Sequence, residues 1–304
     1  MNELAPIVLF VYNRPEHTNR TLQALQRNEL AKDSELFIYA DAAKDESAKI
    51  QVEKVSELIS NISGFKRVTI IKQEKNIGLA ASIIGGVSKI IDIYGKVIVL
   101  EDDLVTSPYF LTFMNSALDF YSEEKGVWHI TGWNYPFPRS FEKDVFLWRT
   151  MNCWGWATWS DRWSHFEKNT DRLINSFSRE EIKKFNLDGS YDFWRQVLDN
   201  DSGRINTWAI YWYAVIFKND GLCLSPSHSL VNNIGNDGSG TNCGSVNHYK
   251  TDLSRINHHS FPTSMTEDSE AVDLIMKFYM SIYKSFPARV INRLSRAIIK
   301  KDIL

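Results

Sequence analysis

Hydrophobic and polar positions along the first 125 residues alternate between two patterns. Short apolar runs occupy residues 6–13 (PIVLFVYN), 35–41 (ELFIYAD), 67–73 (RVTIIKQ) and 96–100 (KVIVL); each reads as a strand, and the last, with four apolar residues in a row, suits one covered on both faces. Between them the apolar residues recur at helical spacing. Pro15 opens a helix carrying Leu22 and Leu25, and a second helix over residues 45–61 carries Val52, Val55 and Ile59. A third follows the turn Asn76-Ile77-Gly78, with Leu79, Ile83, Val87 and Ile90 as its stripe. Another helix is expected from Ser107, as its cap, to about Tyr121. Strand–helix alternation predicts βαβ units and an α/β fold with a mainly parallel central sheet flanked by helices.

The second half is patterned differently. All ten tryptophans lie between Trp128 and Trp212. Strand-like pieces at 127–134 and 144–150 precede mainly helical spacing up to Phe217, in which Trp159 and Trp163 would share a helix face. Packed core and a sugar-stacking wall are both open readings of the Trp154, Trp156, Trp159 and Trp163 cluster. Residues 232–244 (NNIGNDGSGTNCG) have loop composition, as a lid or a plain connection. The tail at 287–301 sets Arg289, Arg293, Arg296 and Lys300 on one helical face, a pattern suited to an anionic membrane surface or to a solvated terminal helix.

Chemistry concentrates where strands end. The run KVIVLEDD stops in Glu101, Asp102 and Asp103, at the carboxyl end of a predicted parallel strand, where open α/β sheets bind ligands. Adjacent carboxylates repel unless solvated, protonated or bound to a cation, and all-oxygen ligands favour Mg²⁺ or Mn²⁺. Asn13 and Arg14, Asp41, and Asn76 end the other strands, so the four ends would line one edge of the sheet. Arg14 suits a phosphate, and Asp41 a nucleotide base or ribose. No GxGxxG turn follows the first strand and no GxxxxGK[ST] loop is present, which argues against a dinucleotide dehydrogenase and a P-loop NTPase. Among the histidines, His228 and His248 flank the glycine-rich stretch as candidate further metal ligands.

Composition narrows the setting. Hydrophobic residues make up 43% and charged residues 24%, as in soluble globular proteins, and the formal net charge of −2 gives no footing for a nucleic-acid partner. Cys153, Cys223 and Cys243 are too dispersed for a zinc site or a disulfide framework, which fits a reducing cytoplasm. No signal peptide or membrane span is recognisable.

The segments VYNRPEHTNRTL, YADAAKDES, NIGLA, VIVLEDDL and CWGWATWSDRW together resemble GT-A glycosyltransferases. The resemblance is to bacterial sugar transferases akin to the eukaryotic N-acetylglucosaminyltransferase that initiates complex N-glycans, and it spans roughly residues 5–245. It implies a GT-A domain over residues 1–255, with a nucleotide-binding half (1–125) and an acceptor-binding half (126–255), followed by a helical extension with the basic tail (256–304). It further implies that Asp103 ligates Mn²⁺ (or Mg²⁺) on a nucleotide diphosphate, that Glu101 and Asp102 contact donor sugar or ribose, and that Asp41 reads the base. The expected activity is metal-dependent transfer of a sugar, N-acetylhexosamine from a UDP-sugar, to a saccharide acceptor in surface-polysaccharide or glycan synthesis. A lipid-linked acceptor and a cytoplasmic enzyme held peripherally at the inner membrane face by the tail complete that expectation. The helix that supplies the catalytic base in such enzymes aligns with residues 206–212, where Ala209 stands in place of Asp. Asp161 and Asp192 are the substitute candidates for the base. A sugar nucleotidyltransferase, and a binding protein that has lost catalysis, are the rival readings.

Overall fold

The computed structural model describes residues 3–138, 141–237 and 248–282. Strand β1 (Ile7–Val11), helix α1 (Pro15–Gln26), β2 (Glu35–Ala40), α2 (Glu46–Ser60), β3 (Arg67–Lys72), α3 (Leu79–Tyr94) and β4 (Lys96–Glu101) follow in the predicted order. Asp45 caps α2, its carboxylate accepting from the Ala48 amide at 3.1 Å, and Gly95 ends α3 in the left-handed conformation, the usual C-terminal stop. The chain continues through β5 (Leu104–Thr106), α4 (Phe110–Phe120), β6 (Val127–Thr131), β7 (Val145–Trp148), β8 (Trp156–Trp159) and the single turn α5 (Ser160–Trp163). Helices α6 (Thr170–Ser176), α7 (Arg179–Phe185), α8 (Trp194–Asp201) and α9 (Ala209–Lys218) lead to β9 (Leu222–Pro226), β10 (Val231–Asn233) and α10 (Ser269–Ile282).

Eight strands form one sheet in the order β3-β2-β1-β4-β8-β6-β9-β7. Strands β3, β2, β1 and β4 pair in parallel, β8 runs antiparallel between β4 and β6, and β9 is parallel to β6. Only β7 and β8 run against the rest of the sheet. The molecule is therefore α/β, with a large, mostly parallel central sheet flanked by helices, as the alternation predicts. Right-handed crossovers put α1 and α2 on one face and α3 on the other. At Gly86, in α3, a β-carbon would come within 2.8 Å of the Phe10 ring, so helix and sheet touch there at backbone range.

Three local expectations change. Residues 156–159 form β8, buried on both faces, so Trp159 lies on a strand and only Trp163 on the helical turn after it. The glycine-rich stretch begins as β10, paired antiparallel with β5, while its part at 238–247 lies outside the described residues. Ser107 does not cap the helix. That helix starts at Phe110, and the Asn28 side chain accepts from the Leu111 amide at 2.9 Å. The basic tail and Cys243 also fall outside the described residues.

Nine of the ten tryptophans are buried, and Trp154 alone is half-exposed, so the packed-core reading holds for nearly all of them. A main core runs from Ala5 to Tyr279 and includes α10, whose Tyr279 hydroxyl bonds that of Tyr135 at 2.5 Å. A smaller aromatic cluster of Phe177, Phe185, Trp194 and Tyr213 ties α7, α8 and α9 together. No described helix is long and apolar enough to cross a membrane.

Candidate functional site

β1 lies between β2 and β4: the chain leaves β1 for β2 on one side and returns through α3 to β4 on the other. That reversal opens a crevice at the carboxyl ends of β1 and β4, the place where sheets of this kind bind ligands. Phe10 pairs with Glu101 in register, so the residues just beyond β1 face those ending β4.

Arg14 and the acidic run meet across this crevice. Arg14 Nη2 donates to Asp102 Oδ1 and, at 2.8 Å, to Asp103 Oδ2. The Arg14 side chain is 19% exposed, and both aspartates are buried. Burial disfavours the guanidinium charge, but Asp102 and Asp103 outweigh it and hold Arg14 more firmly protonated than usual. Asp102 is pushed up to about 6 by burial, against the pull of Arg14. Glu101 is pushed up to about 8 by burial first and then by repulsion from Asp103 and Asp102. The cluster is thus short of positive charge even with Arg14 in place.

The surrounding elements fix these groups. Thr21 Oγ1, on α1, donates to the Asp102 carbonyl at 2.8 Å. The β5–β10 ribbon crosses the cluster, with the Ile234 amide donating to the Asp103 carbonyl at 2.9 Å. Gly235 then lies so close that a β-carbon there would sit 2.2 Å from Asp103 Oδ2 and 3.0 Å from Arg14 Nη1. His17 and Asp237 are 3.1 Å apart and join this segment to α1. Gly235 belongs to the glycine-rich stretch at 232–244, which the sequence marks as a lid or a connection, but neither its seat on Asp103 nor the ribbon is visible in the sequence pattern.

Asp41 and Asn76 are also brought to this edge, already engaged. Asp41 Oδ1 accepts from the Ala42 and Ile77 amides, each at 3.0 Å, and Oδ2 from the Gly78 amide at 2.9 Å. Asn76 Nδ2 donates to the Ala42 carbonyl at 2.8 Å. Both tie the end of β2 to the turn before α3. A carboxylate has about four acceptor sites, so Asp41 keeps room for one more donor. Asn13 is half-buried just past β1.

Cys153 lies near the cluster: burial, then the charge of Glu101, raises its thiol pKa. Beside it Trp154 packs edge-to-face on Trp133 at 4.7 Å and on Tyr249 at 5.7 Å. Trp154, next in sequence to Cys153, is the one tryptophan of the ten that is not buried. A cavity of about 750 Å³ between α1 and α2 touches Arg14 and His17 but none of Glu101, Asp102 and Asp103, and its other walls include Glu16, Gln51, Lys54 and Glu57.

The substitute bases lie elsewhere. Trp159 pairs with Lys96, the first residue of β4, so Asp161 stands at the opposite end of that strand from Glu101. There it bonds Arg162 at 2.8 Å and Lys125 at 2.9 Å. Asp192 is exposed and caps α8, accepting from the Arg195 amide and from Asn186 Nδ2, each at 3.1 Å. Ala209 is the first residue of α9 and half-buried, and Trp208 before it stacks on Trp156 at 5.1 Å. His228 and His248 are both exposed, and among the described residues no three His, Cys, Asp or Glu side chains are grouped to hold a metal.

The sequence matches no family model and no curated protein. Among solved structures, similarity extends to a mannosyltransferase, PcManGT from Pyrobaculum calidifontis, in complex with GDP-Man and Mn²⁺ (10% identity, 72% of this chain and 70% of that one, TM-score 0.39). TarS from S. aureus is similar at 12% identity over 74% of this chain and 59% of its own, with a TM-score of 0.38. An active-site mutant of LgtC is similar at 7% identity over 69% and 70%, with a TM-score of 0.37. Likeness at this level fixes neither family nor activity, so function is argued from the crevice.

Proposed function

We infer that this protein is a GT-A-type glycosyltransferase that binds a nucleotide diphospho-sugar in the β1–β4 crevice and passes the sugar to a saccharide acceptor. The observation that carries the reading is the meeting of Arg14 with the Glu101–Asp103 run at the point where the strand order reverses. That arrangement supplies a phosphate-binding cation and hard oxygen ligands at a ligand-binding edge. A UDP-sugar carrying N-acetylhexosamine is the expected donor, and bacterial polysaccharide or glycan assembly the expected setting, both on the sequence resemblance.

The donor set fits a divalent ion shared with substrate. Its ligands are carboxylate oxygens only, and the described residues form no closed protein cage, so phosphate and water would complete the shell. Asp103 would hold Mn²⁺ or Mg²⁺, which when bound neutralises charge growing on the leaving diphosphate. Arg14 binds phosphate oxygens, and Glu101 and Asp102 accept hydroxyl hydrogen bonds from sugar or ribose. Asp41 uses its remaining acceptor site for the base, with Asn76 and Asn13 shaping that end of the pocket. Trp154 offers an aromatic face to a sugar ring.

Asp161 is set aside as the base, being at the wrong end of β4. Asp192 would need to leave its capping bonds. Ala209 at the head of α9 favours a second reading, in which the site binds a nucleotide-sugar without turning it over. Release of the nucleotide (a diphosphate from UDP-, GDP- and TDP-sugars, CMP from CMP-sugars), with Mn²⁺ and with chelator, separates the two. Slow Mn²⁺-dependent release from one donor supports the transferase; metal-dependent binding without release supports the second reading. No binding of any donor removes both.

A further inference from the structure

The crevice already contains a cation. One nitrogen of Arg14 donates to Asp102 and Asp103 together, Thr21 holds the Asp102 backbone, and Gly235 covers the pair with no room for a methyl group. A divalent ion reaching Asp103 must share that carboxylate with a guanidinium, and two cations on one small oxygen cluster repel. Arginine can exchange a carboxylate for a phosphate with the same forked geometry, so a diphosphate offers Arg14 another partner.

We propose that Arg14 is an internal counter-ion that competes with the divalent metal for the Asp102–Asp103 pair. The metal then binds tightly only together with a nucleoside diphosphate, whose phosphates take Arg14 over. The proposal rests on reading the crevice as a nucleotide-sugar site. Metal and diphosphate bind cooperatively, each raising the other's affinity by the same factor, and Arg14 carries part of that coupling. Arg14 in this sense keeps the carboxylates from free metal until the phosphates of the donor take it over.

The test is Mn²⁺ binding to the full chain, followed by electron paramagnetic resonance with and without UDP, in wild type, Arg14→Gln and Arg14→Lys. Without UDP, Arg14→Gln is expected to bind Mn²⁺ at least about tenfold more tightly than wild type, the size of one charge-assisted hydrogen bond, with Arg14→Lys in between. UDP is expected to raise Mn²⁺ affinity more in wild type than in Arg14→Gln. Equal or weaker Mn²⁺ binding by Arg14→Gln in the absence of UDP overturns the proposal. A measurement on wild type needs no variant to fold: the guanidinium NMR signals of Arg14 should hold still under Mg²⁺ alone and shift under Mg²⁺ with UDP. Signals unmoved by bound Mg²⁺ and UDP also overturn it. Failure of wild type to bind UDP under any condition removes the nucleotide reading and the proposal together, whereas UDP binding without an effect of Arg14 removes the proposal alone.

Discussion

Glu101, Asp102 and Asp103 are neighbours in sequence but not in surroundings. The Glu101 carboxylate receives no hydrogen bond from the described residues, whereas those of Asp102 and Asp103 share Arg14. On the proposed function, Asp103→Ala should lower metal-dependent nucleotide release at least about a hundredfold, the scale of losing one group that stabilises a transition state, while leaving the melting temperature near that of wild type. The carboxylates were legible in the sequence because they end an apolar run. Arg14 was legible only as a strand-end cation, since its ion pairs span 88 and 89 residues and depend on β1 and β4 becoming neighbours. A second residue-scale prediction concerns His129. Its Nε2 faces the Asn152 carbonyl at 3.0 Å and must donate, and Nδ1 accepts from Trp212 Nε1 at 3.2 Å, so the neutral ring is satisfied and a second ring proton would oppose an N–H. Burial lowers its pKa to about 4. The unfolded chain therefore binds the extra proton first, and stability present above about pH 6.5 is lost as pH falls toward 4, by about 3 kcal/mol at full extent. In urea titrations the stability gap between wild type and His129→Gln should narrow from pH 7 to pH 4; a constant gap would refute the assignment.

The elements that escaped the sequence reading are those fixed by long-range pairing. Trp156, Trp159 and Trp163 repeat at near-helical intervals, yet residues 156–159 pair with β4 and β6 and are buried on both faces, which erases the alternation that marks a half-exposed strand. The ribbon of β5 and β10 is equally hidden, because each strand has three residues and gains its partners from 125 to 129 positions away. Tight backbone contacts hold this region. At Gly132 a β-carbon would sit 2.6 Å from the Phe110 ring and 2.9 Å from Val231, so Gly132→Ala should destabilise the fold by about 1–3 kcal/mol, the usual range for overpacking. Thermal unfolding measures this, and an unchanged melting temperature would contradict the packing described. The first four strands and three helices, by contrast, were predicted within a few residues because each is set by its own hydrophobic period.

At the scale of the molecule, nucleotide-type and Trp-rich halves share one sheet and one core, and α10 closes that core through Ala271, Val272, Ile275 and Tyr279. A boundary at residues 255/256 would cut this packing. Burying side chains of this kind contributes about 1.5–3 kcal/mol each, so a chain ending at residue 255 should unfold at a markedly lower temperature than one ending at residue 282. Equal melting temperatures would show that the first 255 residues stand alone. The central claim is about place: a divalent ion and a nucleotide diphosphate meet where β1 and β4 end. Anomalous diffraction from crystals grown with Mn²⁺ and UDP tests it most directly. The account predicts a manganese peak within bonding distance of the Asp103 carboxylate and of a phosphate oxygen, with Arg14 turned toward the diphosphate. Nucleotide density away from this crevice, or manganese bound to the nucleotide without Asp103, would contradict it.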